Sequence, residues 1–219
     1  HQRPRPPLPP PSSTAQQQLL GNVLIINDYS NGNDGLVLKD KTSLAEIKGQ
    51  RVNLVELSVS HYFLARALET VGLSERDIQV VNTSDADMVA VYGTPEVTAV
   101  ATWNPPLGEI LSMPGSHQVF DSSMIPGEIL DMLVVKTEVL EEYPELGKAL
   151  TGAWFELVAL MHAGDDRAKE AKTFMAQAAG TDLDGYEAQL ATTAMFLTPE
   201  DALEFTNSPA LLDTMQKVA

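Results

Sequence analysis

The feature that most constrains this chain is a rapid alternation of strand-like and helix-like stretches between Val23 and Thr102. The aliphatic run at 23–26 predicts a buried strand, and NDYSNGND at 27–34 reads as a dense turn cluster. A second strand is expected at 35–39. Thr42 or Ser43 then caps a short helix through Lys48, which Gly49 ends. A strand at 51–55 leads to an amphipathic helix at 60–71, with Phe63, Leu64, Ala67, Leu68 and Val71 on one face. A strand at 78–81, a helix at 85–92 and a strand at 97–102 follow, the last running into Trp103-Asn104-Pro105-Pro106. Alternation at such short intervals argues for an α/β fold built on a parallel sheet.

Beyond about residue 121 the pattern changes. A strand is expected at 129–135, and then helices at 137–143, 145–162, 165–179, 183–192, 198–206 and 209–217, separated by Pro144, Gly164, Gly180, Pro199 and Pro209. Trp154, Phe155, Leu157, Val158 and Met161 recur at helical intervals and read as core. Residues 1–20, HQRPRPPLPPPSSTAQQQLL, read as a disordered Pro-rich tail, because proline removes donors and favours extended backbone. No apolar segment or small-residue cleavage site follows its arginines, so a signal peptide is not read there.

Charge narrows the partners. Fourteen Lys and Arg stand against thirty Asp and Glu, a net charge of −16. Such a surface repels nucleic acid and anionic lipid, so neither is an expected partner. It serves equally as a hydrating coat or as a field that attracts cationic solutes. No apolar run reaches the roughly 18 residues that cross a bilayer, so direct membrane insertion is not expected. There is no cysteine, which removes disulfides and thiol catalysis. The four histidines are scattered, no metal-ligand spacing appears, and no cofactor-binding motif is present, so neither metal nor cofactor is expected.

The order of three pieces carries a resemblance: NDYSNGNDGLVLKD, then SLAEIKGQRVNLVELSVSHYFLARALETVGLSERDIQVVNTSDADMVAV, then VTAVATWNPPLGEI. Together they resemble the nitrate/sulfonate/taurine group of periplasmic solute-binding proteins, which serve ABC transporters. VELSVSHYFLARALE and FDSSMIPGEILDMLVV are most similar to a subgroup accompanying urea carboxylase. The resemblance implies a periplasmic binding protein-like (type II) fold with two α/β lobes, hinge strands between them and a helical C-terminal part. Lobe one would comprise 21–49 and 122–219, and lobe two 50–121. The first half of lobe one, which a complete member carries before Val23, is absent, so an N-terminally incomplete fold is expected. The implied function is capture of a small polar solute such as urea or a guanidine-like compound, outside the cytoplasm, for delivery to an ABC transporter permease. It is not an enzymatic one.

Candidate ligand contacts follow from the strand ends. Glu56 ends a strand where ligands of open α/β sheets bind, and is the first choice. Ser58, Ser60 and His61 lie at the start of the next helix, where free backbone N–H groups gather; capping is the plainer role for the serines. Asp34, Glu128 and Asp131 flank the expected hinge strands. No Arg or Lys occurs in these segments, which favours a cationic ligand. The resemblance turns Trp103 towards the cleft, where its ring would stack on a planar cation. Tyr29, Asn33 and Asn82 complete the polar candidates. Two alternatives stay open: an enzyme of the same fold related to thiamine-pyrimidine synthesis, and a ligand-sensing domain of a transcriptional regulator.

Overall fold

The computed structural model describes residues 21–218. The Pro-rich tail expected at 1–20 lies outside the described residues.

Eight strands and nine α-helices occur among the described residues. The strands are β1 (Gly21–Ser30), β2 (Asp34–Lys39), β3 (Arg51–Leu54), β4 (Gln79–Asn82), β5 (Ala99–Trp103), β6 (Ser116–Asp121), β7 (Leu130–Lys136) and β8 (Thr193–Met195). The first three helices are α1 (Val59–Thr70), α2 (Asp85–Tyr92) and α3 (Pro106–Leu111). The C-terminal block holds α4 (Thr137–Glu142), α5 (Leu146–Met161), α6 (Asp166–Ala178), α7 (Leu183–Leu190), α8 (Pro199–Thr206) and α9 (Pro209–Val218).

These strands form two sheets. The larger has the order β4-β3-β5-β2-β6 and the smaller β7-β1-β8. In the larger sheet β3 runs parallel to β4 and β5, whereas β2 is antiparallel to β5 and β6. The sheet is therefore mixed and not parallel as the alternation suggested. The difference comes from β2, which reaches the sheet from β1 without a crossover helix, and so is free to run the other way.

Strand periodicity explains why the larger sheet looked so apolar. Leu36, Leu38, Val52, Leu54, Ala99 and Ala101 face one side, where α1 covers them with Phe63, Leu64, Ala67 and Leu68. Val37 and Val100 face the other side and meet Met88 and Tyr92 of α2 and Leu107 and Ile110 of α3. Both faces are buried, so successive residues of one strand must all be apolar. Gly35 has to stay small for the same reason. A Cβ there would sit 2.8 Å from both Leu107 methyls. Gly35→Ala is expected to cost about 1–3 kcal/mol by overpacking, measured by urea unfolding. An unchanged midpoint would mean that Leu107 has room to turn aside.

Three local expectations are corrected. Asn27 to Ser30 form strand and not turn, because their backbones pair with β7 on one side and β8 on the other; only residues 31–33 bend. The short helix after Ser43 is a 3-10 turn, Leu44–Ile47. The boundary expected at 49/50 does not follow the sheets, since β2 lies within the larger one.

The chain crosses between the sheets twice, at 31–33 and again from Ser122 to Ile129. Ser122 is fully buried and fastens the crossings together. Its Oγ lies 2.7 Å from Ser30 Oγ and accepts from the Gly32 N–H at 2.7 Å and the Asp34 N–H at 3.4 Å.

Candidate functional site

The crossings, the ends of β2 and β5 and the start of α1 meet at a cleft of about 300 Å³. Ser30, Asn33 and Asp34 enter from the first crossing, and Ile129, Leu130 and Asp131 from the second. Ser58 and Val59 come from the start of α1, and Trp103 from the end of β5. Local chemistry builds each wall. Ser58 caps α1, accepting from the Ser60 N–H at 3.1 Å while donating to the Val55 carbonyl at 2.7 Å. Trp103 pairs with Asp34 across the β5–β2 ladder, which sets the indole beside the carboxylate.

The electrostatics are acidic. Asp34 is buried and accepts a 2.5 Å hydrogen bond from Ser30 Oγ. Burial raises its pKa; the serine bond opposes this, and the charge of Asp131 adds to it. Asp28 stands directly across from Asp131 in the β1–β7 ladder. Burial, then the charge and hydrogen bond of Asp131, push Asp28 up to about 7. Among the described residues no Lys or Arg lines the cleft.

The cleft thus gathers five residues singled out from the sequence: Asn33, Asp34, Ser58, Trp103 and Asp131. The others sit elsewhere. Glu56 is exposed and outside the lining; its N–H donates to Asn82 Oδ1 at 2.9 Å, which also occupies Asn82. Tyr29 stacks on Phe205 at 5.5 Å and leans on Phe196, within an aromatic cluster at the smaller sheet. His61 accepts the Leu57 N–H at 3.1 Å on Nδ1 and approaches Glu75 at 3.2 Å through Nε2. Ser60 is buried, and its Oγ has no hydrogen-bond partner among the described residues.

Glu128 departs furthest from expectation. It is not a carboxylate free of basic partners. Arg66 of α1 grips it through Nε at 2.6 Å and through a second nitrogen at 3.0 Å. The Tyr62 hydroxyl donates at 2.6 Å, and Lys217 of α9 approaches at 3.4 Å. The Arg66 bond, first among several causes, holds Glu128 down at about 2, with burial opposing. These three partners are 62, 66 and 89 residues away in sequence, so the segment around Glu128 gave no hint of them. Ser30, Val59 and Asp28 were missed. Alternation through 26–30 was the available signal, hidden by the turn-forming composition.

A second cavity, about 460 Å³, is bounded by Ile26, Met132, Phe155, Leu203 and Met215 among others. Its lining is mainly aliphatic and aromatic, with Thr151 and Thr206 on it and no charged side chain among the described residues. Among the described residues no three His, Asp or Glu are placed to hold a metal ion, and no helix is long and apolar enough to cross a membrane.

Two α/β sheets joined by paired crossings, with a polar cleft at the joint, make a periplasmic binding protein-like fold. The chain belongs to the NMT1-like family, which matches residues 16–178. It is 25% identical over 145 residues to the taurine-binding periplasmic protein of Escherichia coli K12, covering 64% of this chain and 44% of that protein. The chain therefore spans less than half the length of that relative. Among solved structures it is similar to the periplasmic aliphatic sulphonate binding protein SsuA from Escherichia coli (TM-score 0.69, 19% identity, 93% of this chain and 71% of that one). It is also similar to the desulfurization enzyme DSZB (TM-score 0.54, 15% identity, 91% and 80%).

Proposed function

We infer that this chain acts as the solute-binding component of an ABC importer, in the periplasm, handing a small polar solute to a permease. The two sheets with their flanking helices would be its lobes, joined at 31–33 and 122–129. Family membership and the fold support the class. One observation carries the ligand chemistry: the cleft presents Asp34 and Asp131 beside Trp103, with no basic side chain of the described residues in its lining. Carboxylates so placed favour a ligand with N–H donors and positive charge, such as an amidine, a guanidine or an amine, and less strongly the neutral amide of urea. The indole adds a face for a planar cation.

The test is thermal shift with guanidinium, urea, acetamidine, taurine and nitrate. Saturable stabilisation by the nitrogenous cations, and none by nitrate, is the expected result. Stabilisation by nitrate alone would reverse the charge assignment. Asp34→Asn is expected to weaken guanidinium binding at least tenfold, because a charge-assisted hydrogen bond is worth about 1.5–3 kcal/mol. Trp103→Ala should weaken it about threefold to thirtyfold, in keeping with a partly desolvated cation–π contact of about 0.5–2 kcal/mol. Titration calorimetry checks both. Equal affinity in wild type and both variants would place the ligand elsewhere.

The likeness to a desulfurization enzyme keeps an enzymatic reading in view. Two observations argue against it. The 219 residues hold no cysteine, which removes thiol catalysis, and His61 accepts the Leu57 N–H on Nδ1 outside the cleft.

A further inference from the structure

Asp28 and Asp131 face each other across neighbouring antiparallel strands, where opposed side chains approach to about 5 Å and like charges repel. Asp131 lines the cleft. Asp28 lies behind it, 6% exposed, with its Oδ1 lacking a hydrogen-bond partner among the described residues. A hydrogen bond between two carboxyl groups needs a proton, because two carboxylates only accept.

We propose that Asp28 and Asp131 act as one unit, which holds a single proton across the floor of the cleft and releases it when a cationic solute enters. This rests on the capture reading above and adds its regulation: binding is coupled to proton release, so affinity rises with pH. The surroundings favour the role. Asp34 of β2 adds a third acidic group whose charge is felt through Asp131. On the other side, β8 places Met195 opposite Asp28, and α5 and α8 meet β1 at an apolar cavity with Phe155 and Ala202. Glu128, close in sequence, is neutralised by Arg66 and Lys217. No basic side chain of the described residues lines the cleft, and burial together with Asp131 holds the Asp28 proton to about pH 7. An entering ammonium or guanidinium supplies the same positive charge. It displaces the proton to solvent, so that Asp131 meets the cation in the cleft while Asp28 stays charged behind it. No covalent bond changes.

The sign follows from this exchange. Below about pH 7 the solute competes with a bound proton, and one displaced proton per solute makes binding about tenfold tighter per pH unit. Above that range the dependence flattens.

The experiment has two arms. Carbon-detected NMR of the side-chain carboxyls in the free protein should show one aspartate titrating near neutrality and losing that behaviour in Asp131→Asn. Calorimetry with guanidinium at about pH 6 and pH 8, in buffers of different ionisation enthalpy, should show tighter binding at the higher pH and a heat that depends on the buffer. Both aspartates titrating only in the acid range would overturn the proposal whatever binds. A guanidinium affinity that ignores pH and buffer would overturn the coupling. Binding of taurine or nitrate without guanidinium would leave solute capture standing and remove the proton exchange. If no compound binds, the capture reading itself fails and the coupling with it, while the NMR arm still reports separately on the shared proton.

Discussion

Replacing Arg66 with alanine is expected to destabilise the protein by about 2–4 kcal/mol at neutral pH, because it strands a buried carboxylate. The Glu128 side chain is 8% exposed, and Arg66 gives it a two-pronged grip that the more exposed Lys217 cannot replace. The sign with pH is fixed by the direction of the shift. Glu128 is held at about 2 against an ordinary 4.5, so its stabilisation is complete above about pH 4.5 and is lost as pH falls towards 2. A shift of that size corresponds to about 3 kcal/mol. Urea unfolding at pH 7 and near pH 3 reads the effect: the gap between wild type and Arg66→Ala should be wide at pH 7 and narrow in acid. A gap that stays constant would mean that α1 loses packing and not an ion pair. Arg66→Lys should fall between the two, since an ammonium cannot reproduce the paired hydrogen bonds.

Asp28→Asn is expected to act in the opposite direction. The carboxyl of Asp28 is raised from 3.8 to about 7. Between those values the folded chain holds a proton that the unfolded chain has released, so stability falls as pH rises through that window. The shift sets an upper bound of about 4 kcal/mol on what is lost by pH 8. An amide keeps the shape without the charge. The variant should therefore be more stable than wild type at pH 8 by about 2–4 kcal/mol, and the advantage should vanish near pH 4. Equal destabilisation at both pH values would show that Asp28 makes a structural contact which asparagine cannot supply. A stabilising change directly behind the cleft fits a site that keeps unfavourable charge for binding.

Much of this was legible in the sequence, for physical reasons that differ by element. The helix α1 stood out because Phe63, Leu64, Ala67 and Leu68 repeat at helical spacing and all are buried. The segment Asp85–Tyr92 was read at its true limits because Ser84 and Gly93 bracket it. β6, β8 and α3 went unread. Ser116-His117-Gln118 carries polar residues on an edge strand, and Thr193–Met195 is three residues long and held by pairing with β1. In the cleft, residues at strand ends were found, since geometry sends those ends to the crevice; Trp103 and Asp34 are the cases. Asp28 was lost because Asn27-Asp28-Tyr29-Ser30 has turn chemistry, and only partners more than a hundred residues away make it a strand. Long-range pairing also decided Glu128.

Because both connections between the sheets are fastened at one hydroxyl, that of Ser122, they cannot give way separately. Sliding one half past the other would pull against three contacts at once, whereas a swing about a line through that atom disturbs none of them much. The joint is thus pinned at Ser122, with the Ser30 N–H bond to the Ile129 carbonyl at 2.9 Å beside it, and Asp34 and Asp131 stand in the cleft next to that joint. Under the proposed capture, even a wide opening would move these two aspartates little relative to each other, so a solute would meet its grip before the halves close.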